Sequence, residues 1–143
     1  MYATTHLALG LVIGKLTGDY QAALVGSLIM DIDHLAPAIK EKRLFNFKEF
    51  WRRSKSSSDS ARSFMHGLIP WFLFSAVICF FDLRFGAIFS IAYFGHLLLD
   101  TLDDSPFYPF FPNKKISVKG FIPYYSGEEL IFSIALFCAY FFI

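Results

Sequence analysis

Asp31, Asp33 and His34 stand together in MDIDH (Met30 to His34), where the apolar run QAALVGSLI (Gln21 to Ile29) ends. Ionisable side chains at the end of an apolar segment are costly unless something pairs with them. Water, another side chain and a metal ion are the three candidates. Asp31 and His34 are three residues apart and share a helix face, while Asp33 points elsewhere, toward a second ion or a ligand histidine. Three more histidines complete the set: His6, His66 in RSFMH (Arg62 to His66) and His96 in HLLLD (His96 to Asp100). The i, i+4 spacing of His96 and Asp100 puts both on one face. That suits two ligands of one metal, or one ligand and a carboxylate that orients it. Arg62 precedes His66 by the same spacing, and its guanidinium suits an anionic oxygen such as a phosphate, gripped with two donors. The candidate ligands are therefore His6, Asp31, Asp33, His34, His66, His96 and Asp100.

The elements that must position these residues are apolar. The chain has 143 residues, which predicts one domain over 1–143; it is 55% hydrophobic with 19 Phe, more than a soluble core of this size calls for. Mean hydropathy is +0.48. Three stretches approach the length of a bilayer span: Phe64 to Phe81, Phe85 to Leu99 and Leu130 to Ile143. Leu7 to Ile13 and Ala22 to Ile29 read as a shorter helical hairpin turning at KLTGD (Lys15 to Asp19), with Gly18 available for the turn. The expected fold is an all-α integral membrane bundle of about five helices: roughly 3–17, 20–35, 62–82, 85–102 and 127–143. A soluble all-α protein is the plain alternative, but the final run offers only apolar faces. Cys79 and Cys138 lie in apolar runs and are expected to be buried thiols, not a disulfide framework. The N-terminus lacks the basic region and cleavage pattern of a removable signal peptide.

Charge supplies orientation. Lys40, Lys42, Arg43, Lys48, Arg52, Arg53, Lys55 and Arg62 crowd one loop (its basic part is 40–61), opposed only by Glu41, Glu49 and Asp59. The stretch after Asp103 carries Lys114, Lys115 and Lys119, whereas the link Asp82-Leu83-Arg84 carries one Arg. Positive-inside asymmetry places the two basic loops in the cytoplasm and the short link outside. Within the first loop, Leu44 to Arg53 reads as an interfacial helix, or else as a solvated linker ending in the Ser-rich stretch Ser54 to Ser60. In such an up-and-down bundle the starts of odd helices and the ends of even helices lie at one face. All four histidines then converge on the cytoplasmic side, each near a carboxylate or a helix end. MDIDH, RSFMH and GHLLLD, in this order at one face, are what point to a metal site.

These blocks resemble a known family, the predicted membrane-bound metal-dependent hydrolases of bacteria and archaea, or YdjM-type inner-membrane proteins. Its pattern is an N-terminal His, a P-D-x-D-H block, an H-R-G-x-T-H-S block, an S-H-x-x-x-D block followed by a Pro-rich aromatic stretch, and a late Glu. Here His6, MDIDH, ARSFMHG (Ala61 to Gly67), GHLLLD (Gly95 to Asp100) and DSPFYPFFP (Asp104 to Pro112) match in order. The late Glu maps to Glu129 in SGEELI (Ser126 to Ile131). The departures are Met30 for Pro, Ala61 for the first His of the third block, Met65 for Thr, Gly67 for Ser and Gly95 for Ser.

The resemblance implies a metal-dependent hydrolase in the inner membrane. A divalent ion held by imidazoles and carboxylates would activate a water; zinc is the first expectation, with manganese or iron suited to a carboxylate-rich set. Asp33 or Glu129 is the candidate general base, and Arg62 the group that steadies a phosphate or an oxyanion. The expected substrate is a phosphoester or ester of a membrane lipid, which is also the protein's solvent; no nucleic-acid partner is expected. Phe107, Tyr108, Phe110 and Phe111 read first as an interfacial belt, and second as a ring that admits a headgroup. Three other classes compete. A membrane phosphatase of the histidine type needs a Ser-Arg pair before its HxxxD, and Phe89 to Gly95 has no Arg. A metal transporter needs ligands in mid-helix. A non-enzymatic membrane protein with a structural or regulatory metal is favoured by Ala61.

Overall fold

The N-terminal hairpin forms as its sequence dictates. In the computed structural model, which describes residues 1–32, 64–124 and 126–143, α1 (Ala3–Thr17) ends at Gly18, whose φ of 75° is the left-handed conformation that glycine adopts freely. The Gly18 N–H donates to the Gly14 carbonyl at 2.9 Å, closing the last turn. Asp19 then caps α2 (Tyr20–Leu28), its carboxylate accepting the Ala22 N–H at 3.0 Å. A 3-10 turn (Ile29–Asp31) follows α2.

A second 3-10 turn (Phe64–His66) leads through Gly67 into α3 (Leu68–Phe81). Only Asp82 separates α3 from α4 (Leu83–Leu102), and it caps α4 by accepting the Phe85 N–H at 2.9 Å. α5 (Gly127–Phe142) opens on Ser126, whose hydroxyl accepts the Glu129 N–H at 3.2 Å. Among the described residues there are five α-helices and no named strand, which agrees with the all-α expectation. Of the three apolar stretches, only α4, at 20 residues or about 30 Å, is long and apolar enough to cross a membrane. α3 has 14 residues because its first turn is split off as the 3-10 turn at Phe64–His66.

Small residues set the packing. α2 buries Ala22, Ala23, Gly26 and Ser27, and it packs on both α1 and α4. A Cβ at Gly26 would meet the Phe89 carbonyl and Ala92 of α4, so only glycine permits this approach. α5 packs on α1, and Lys15 ties the two together by donating to the Tyr140 carbonyl at 2.8 Å. One apolar cluster joins Met30, Phe89, Tyr93, Leu97 and Phe107. Phe107 is therefore core, not belt; the exposed aromatic of that stretch is Phe110. The outward faces of α3 and α5 are apolar, with Phe72, Val77, Phe80, Ile131 and Ile134 all exposed. The thiols differ from expectation. Cys79 is half-buried where α3 meets Gly86 of α4, but Cys138 is exposed among the described residues.

Candidate metal centre

The site is built around the end of α4. His96 is fully buried, and its Nδ1 lies 2.7 Å from the main-chain carbonyl of Ser27. A carbonyl only accepts, so Nδ1 carries the hydrogen, and a neutral ring in this orientation has its lone pair at Nε2. The Gly26 contact brings α2 close enough for this bond. The α-helical ladder of α2 gives way to the 3-10 turn just after Leu28, and that turn delivers Asp31 to the same place.

Asp100, one turn beyond His96, gathers the other histidines. Its Oδ1 lies 3.4 Å from His6 Nε2, and its Oδ2 lies 3.6 Å from His96 Nε2 and 3.7 Å from His66 Nε2. These separations exceed a good N–H···O bond of about 2.9 Å. They match two ligands sharing one ion: donors at about 2.1 Å from a tetrahedral zinc stand about 3.4 Å apart. His6, from the first turns of α1, stacks on His96 with ring centroids 3.6 Å apart. His66 is held by its own turn, because the Tyr93 hydroxyl donates to the Met65 carbonyl at 2.6 Å. The Leu68 N–H just beyond donates to the Pro109 carbonyl at 2.8 Å.

Two sets of side chains are thereby placed to share an ion: His6, His96 and Asp100, and Asp31, His66 and His96. Within each set the ligating atoms lie within 4.8 Å of one another. Among the described residues, His96 Nε2, His6 Nδ1 and Asp31 Oδ2 are buried without a hydrogen-bond partner. Buried polar atoms are nearly always satisfied, so the unpartnered His96 Nε2 and Asp31 Oδ2, which belong to one set, call for a ligand.

Five of the seven expected ligands, His6, Asp31, His66, His96 and Asp100, come together in this way. Asp33, His34, Arg62 and Ala61 lie outside the described residues, as do the interfacial segment 44–53, the Ser-rich stretch 54–60 and the basic loop 40–61. Glu129 belongs to neither set. It is fully buried and accepts the main-chain N–H of Tyr2, which starts α1.

The sequence reading missed Asp103 and the main chain at Met1. The Met1 ammonium is buried between Asp100 Oδ1 at 3.2 Å and Asp103 Oδ2 at 3.0 Å. Burial opposes its charge, but Asp100, Asp103 and Glu129 together more than offset this and raise its pKa above the usual α-amino value. Asp103 also accepts the Ser105 N–H at 2.6 Å. A signal was present, since Asp103 follows Asp100 at i+3.

Compared with known families, the whole chain, residues 1–143, matches the family described as YdjM inner membrane protein. Comparison with curated proteins and with solved structures gave no match.

Proposed function

Because the chain belongs to the YdjM inner membrane protein family, we propose that it is a membrane-bound metal-dependent hydrolase with one divalent ion at the end of α4. The observation that carries this reading is the buried His96 Nε2, which has no hydrogen-bond partner and is shared by two sets of candidate ligands. His96 belongs to both sets, and its Nδ1 is committed to Ser27, so its one remaining lone pair serves a single ion. His6, Asp31, His66 and Asp100 complete the donor set. Imidazole and carboxylate donors in this ratio suit zinc first, and manganese or iron next.

The bound ion would lower the pKa of a coordinated water toward 7 and supply a nucleophile. The chain's own residues do the rest. Ser27 fixes the His96 tautomer, and the Met65 anchor fixes the His66 turn. Asp33 is the proposed general base, with Glu129 as the other candidate, and Arg62 is proposed to steady an anionic oxygen. Apolar outer faces on α3 and α5 support a lipid surround. We read the protein as multi-pass, with its basic loops and its site toward the cytoplasm. The substrate class proposed is a phosphoester or ester of a membrane lipid.

A second reading has its own observation. His6, His96 and Asp100 are 1%, 0% and 2% exposed, and catalytic zinc keeps an open position where structural zinc is closed. A non-enzymatic protein with a structural metal fits that burial.

Elemental mass spectrometry on detergent-purified wild type and His96→Ala tests the site. About one equivalent of metal in the wild type and a clear loss in the variant is expected on a one-ion site. No metal in folded wild-type protein would overturn both readings. Asp33→Asn and Arg62→Gln then separate the two. Loss of lipid-ester hydrolysis with metal retained supports the enzyme, and a metal-loaded wild type inert toward lipid esters and phosphoesters leaves the structural reading.

A further inference from the structure

The segment after α4 is not absorbed by the metal site. Residues 103–122 fold back on themselves and are pinned to the end of α4. Phe107 and Val118 exchange both main-chain bonds at 2.8 Å. The Gly120 N–H donates to the Asp103 carbonyl at 2.8 Å, and the Phe121 and Ile122 N–H groups donate to the Leu102 carbonyl at 3.0 and 2.9 Å. The last carbonyl of the helix is thus capped by the returning strand of chain. Phe107 and Ile122 are buried and anchor the two arms.

What this platform presents is unusual for a water-facing turn. Every residue from Pro112 to Lys119 is exposed. Lys114, Lys115 and Lys119 alternate with Ile116 and Val118, which are 52% and 40% exposed, and with Phe121, which is 80% exposed. No Asp or Glu occurs from Ser105 to Gly127. Of the flanking acids, Asp104 accepts the Tyr124 N–H at 2.9 Å, and Glu128 lies in the first turn of α5. Lys114 rests over the Tyr108 ring at 5.5 Å, which holds its stem to the platform.

Depth decides the occupant. The platform starts one residue beyond Leu102, where α4 ends, the one helix among the described residues long enough to cross a membrane. With α4 read as a membrane span, a turn pinned there falls at headgroup level. Basic side chains with apolar neighbours at that level match an anionic lipid surface, which attracts lysines while the apolar side chains enter the acyl boundary. We propose that residues 112–121 form a contact site for anionic phospholipid headgroups, with Lys114, Lys115 and Lys119 on the phosphates and Ile116, Val118 and Phe121 inserted between lipids. This site rests on the family's membrane location and not on the metal.

The test uses the full chain in lipid nanodiscs, labelled with a fluorophore at Ser117→Cys after Cys79→Ala and Cys138→Ala. Headgroup-proximal spin-labelled lipid is the quencher, in discs of phosphatidylcholine with or without phosphatidylglycerol. Quenching is expected in both, stronger with phosphatidylglycerol, and reduced to the phosphatidylcholine level by raised salt or by Lys114→Gln, Lys115→Gln and Lys119→Gln together. Native mass spectrometry of the unlabelled protein gives a second readout. Retained phosphatidylglycerol should weaken about fivefold per lysine removed, the factor for one basic group at an anionic surface. A probe that stays unquenched in anionic discs would overturn the proposal and leave the platform to a protein partner. Quenching and lipid retention indifferent to the lysines would overturn it too. The same result in His96→Ala is expected, which separates this site from the metal reading.

Discussion

His96 Nδ1 donates its hydrogen to the Ser27 carbonyl at 2.7 Å, and this one bond turns Nε2 toward Asp100, 3.6 Å away. A main-chain carbonyl as the partner makes the arrangement depend on backbone placement, not on a side chain that a substitution could remove. Whatever moves α2 relative to α4 should therefore reach the site.

Gly26→Ala tests that dependence. The added methyl would press on the Phe89 carbonyl and Ala92, and overpacking of this kind costs about 1–3 kcal/mol. The expected outcome is lower stability in urea or heat and weaker metal binding by titration. Unchanged metal affinity in Gly26→Ala would show that the Ser27 contact does not govern the site.

Metal addition should stabilise the protein, because the unpartnered atoms of Asp31 and His96 gain a partner only in the folded chain. Free metal at a hundredfold excess over its Kd contributes about 2.7 kcal/mol. Thermal unfolding of chelator-stripped protein should shift upward as zinc or manganese is restored, and His96→Ala should show no shift. An equal shift in that variant would place the ion elsewhere.

Glu129 separates two roles. Its buried carboxylate accepts the Tyr2 N–H, so Glu129→Ala should destabilise by about 1–3 kcal/mol, as expected when a buried donor loses its acceptor. Glu129→Gln keeps an acceptor oxygen and should recover most of that loss in an unfolding titration. If Glu129→Gln is stable, metal-loaded and inactive on lipid esters, the carboxylate is the base; if it is active, the residue only holds the start of α1.

Asp82 provides the opposite-end control. It caps α4, fourteen residues or about 21 Å of helix before His96. Asp82→Ala should cost about 1 kcal/mol of stability, the usual value of a lost cap, with metal content unchanged. A loss of metal in this variant would mean that the site responds to stability in general, and His96→Ala would lose its diagnostic value.

Much of this protein is legible in one dimension. Gly18 and Asp19 mark the hairpin because a left-handed turn and a cap are local events, decided by φ and by a side chain three residues away. The i, i+4 pair His96–Asp100 is equally local, since the pitch of a helix fixes which face both occupy. Alternation of apolar helices placed His6, His66 and His96 at one end, and they meet there.

Other features needed the tertiary structure because they depend on how closely elements approach. No spacing rule foretold that the Ser27 carbonyl would fix the His96 tautomer, since that bond spans 69 positions and rests on the absence of a Cβ at Gly26. Phe107 reads as part of an aromatic belt but is buried against Tyr93, because the segment after α4 folds back and returns it to the core. Glu129 reads as a candidate base, and only the tertiary structure shows that it also holds the Tyr2 N–H, because α5 packs on α1 and brings its first turn to the start of that helix. The sequence determined which side chains this protein has for binding a metal and on which helix ends they sit. Close packing of small residues decided which of their atoms are left facing one another without a hydrogen bond.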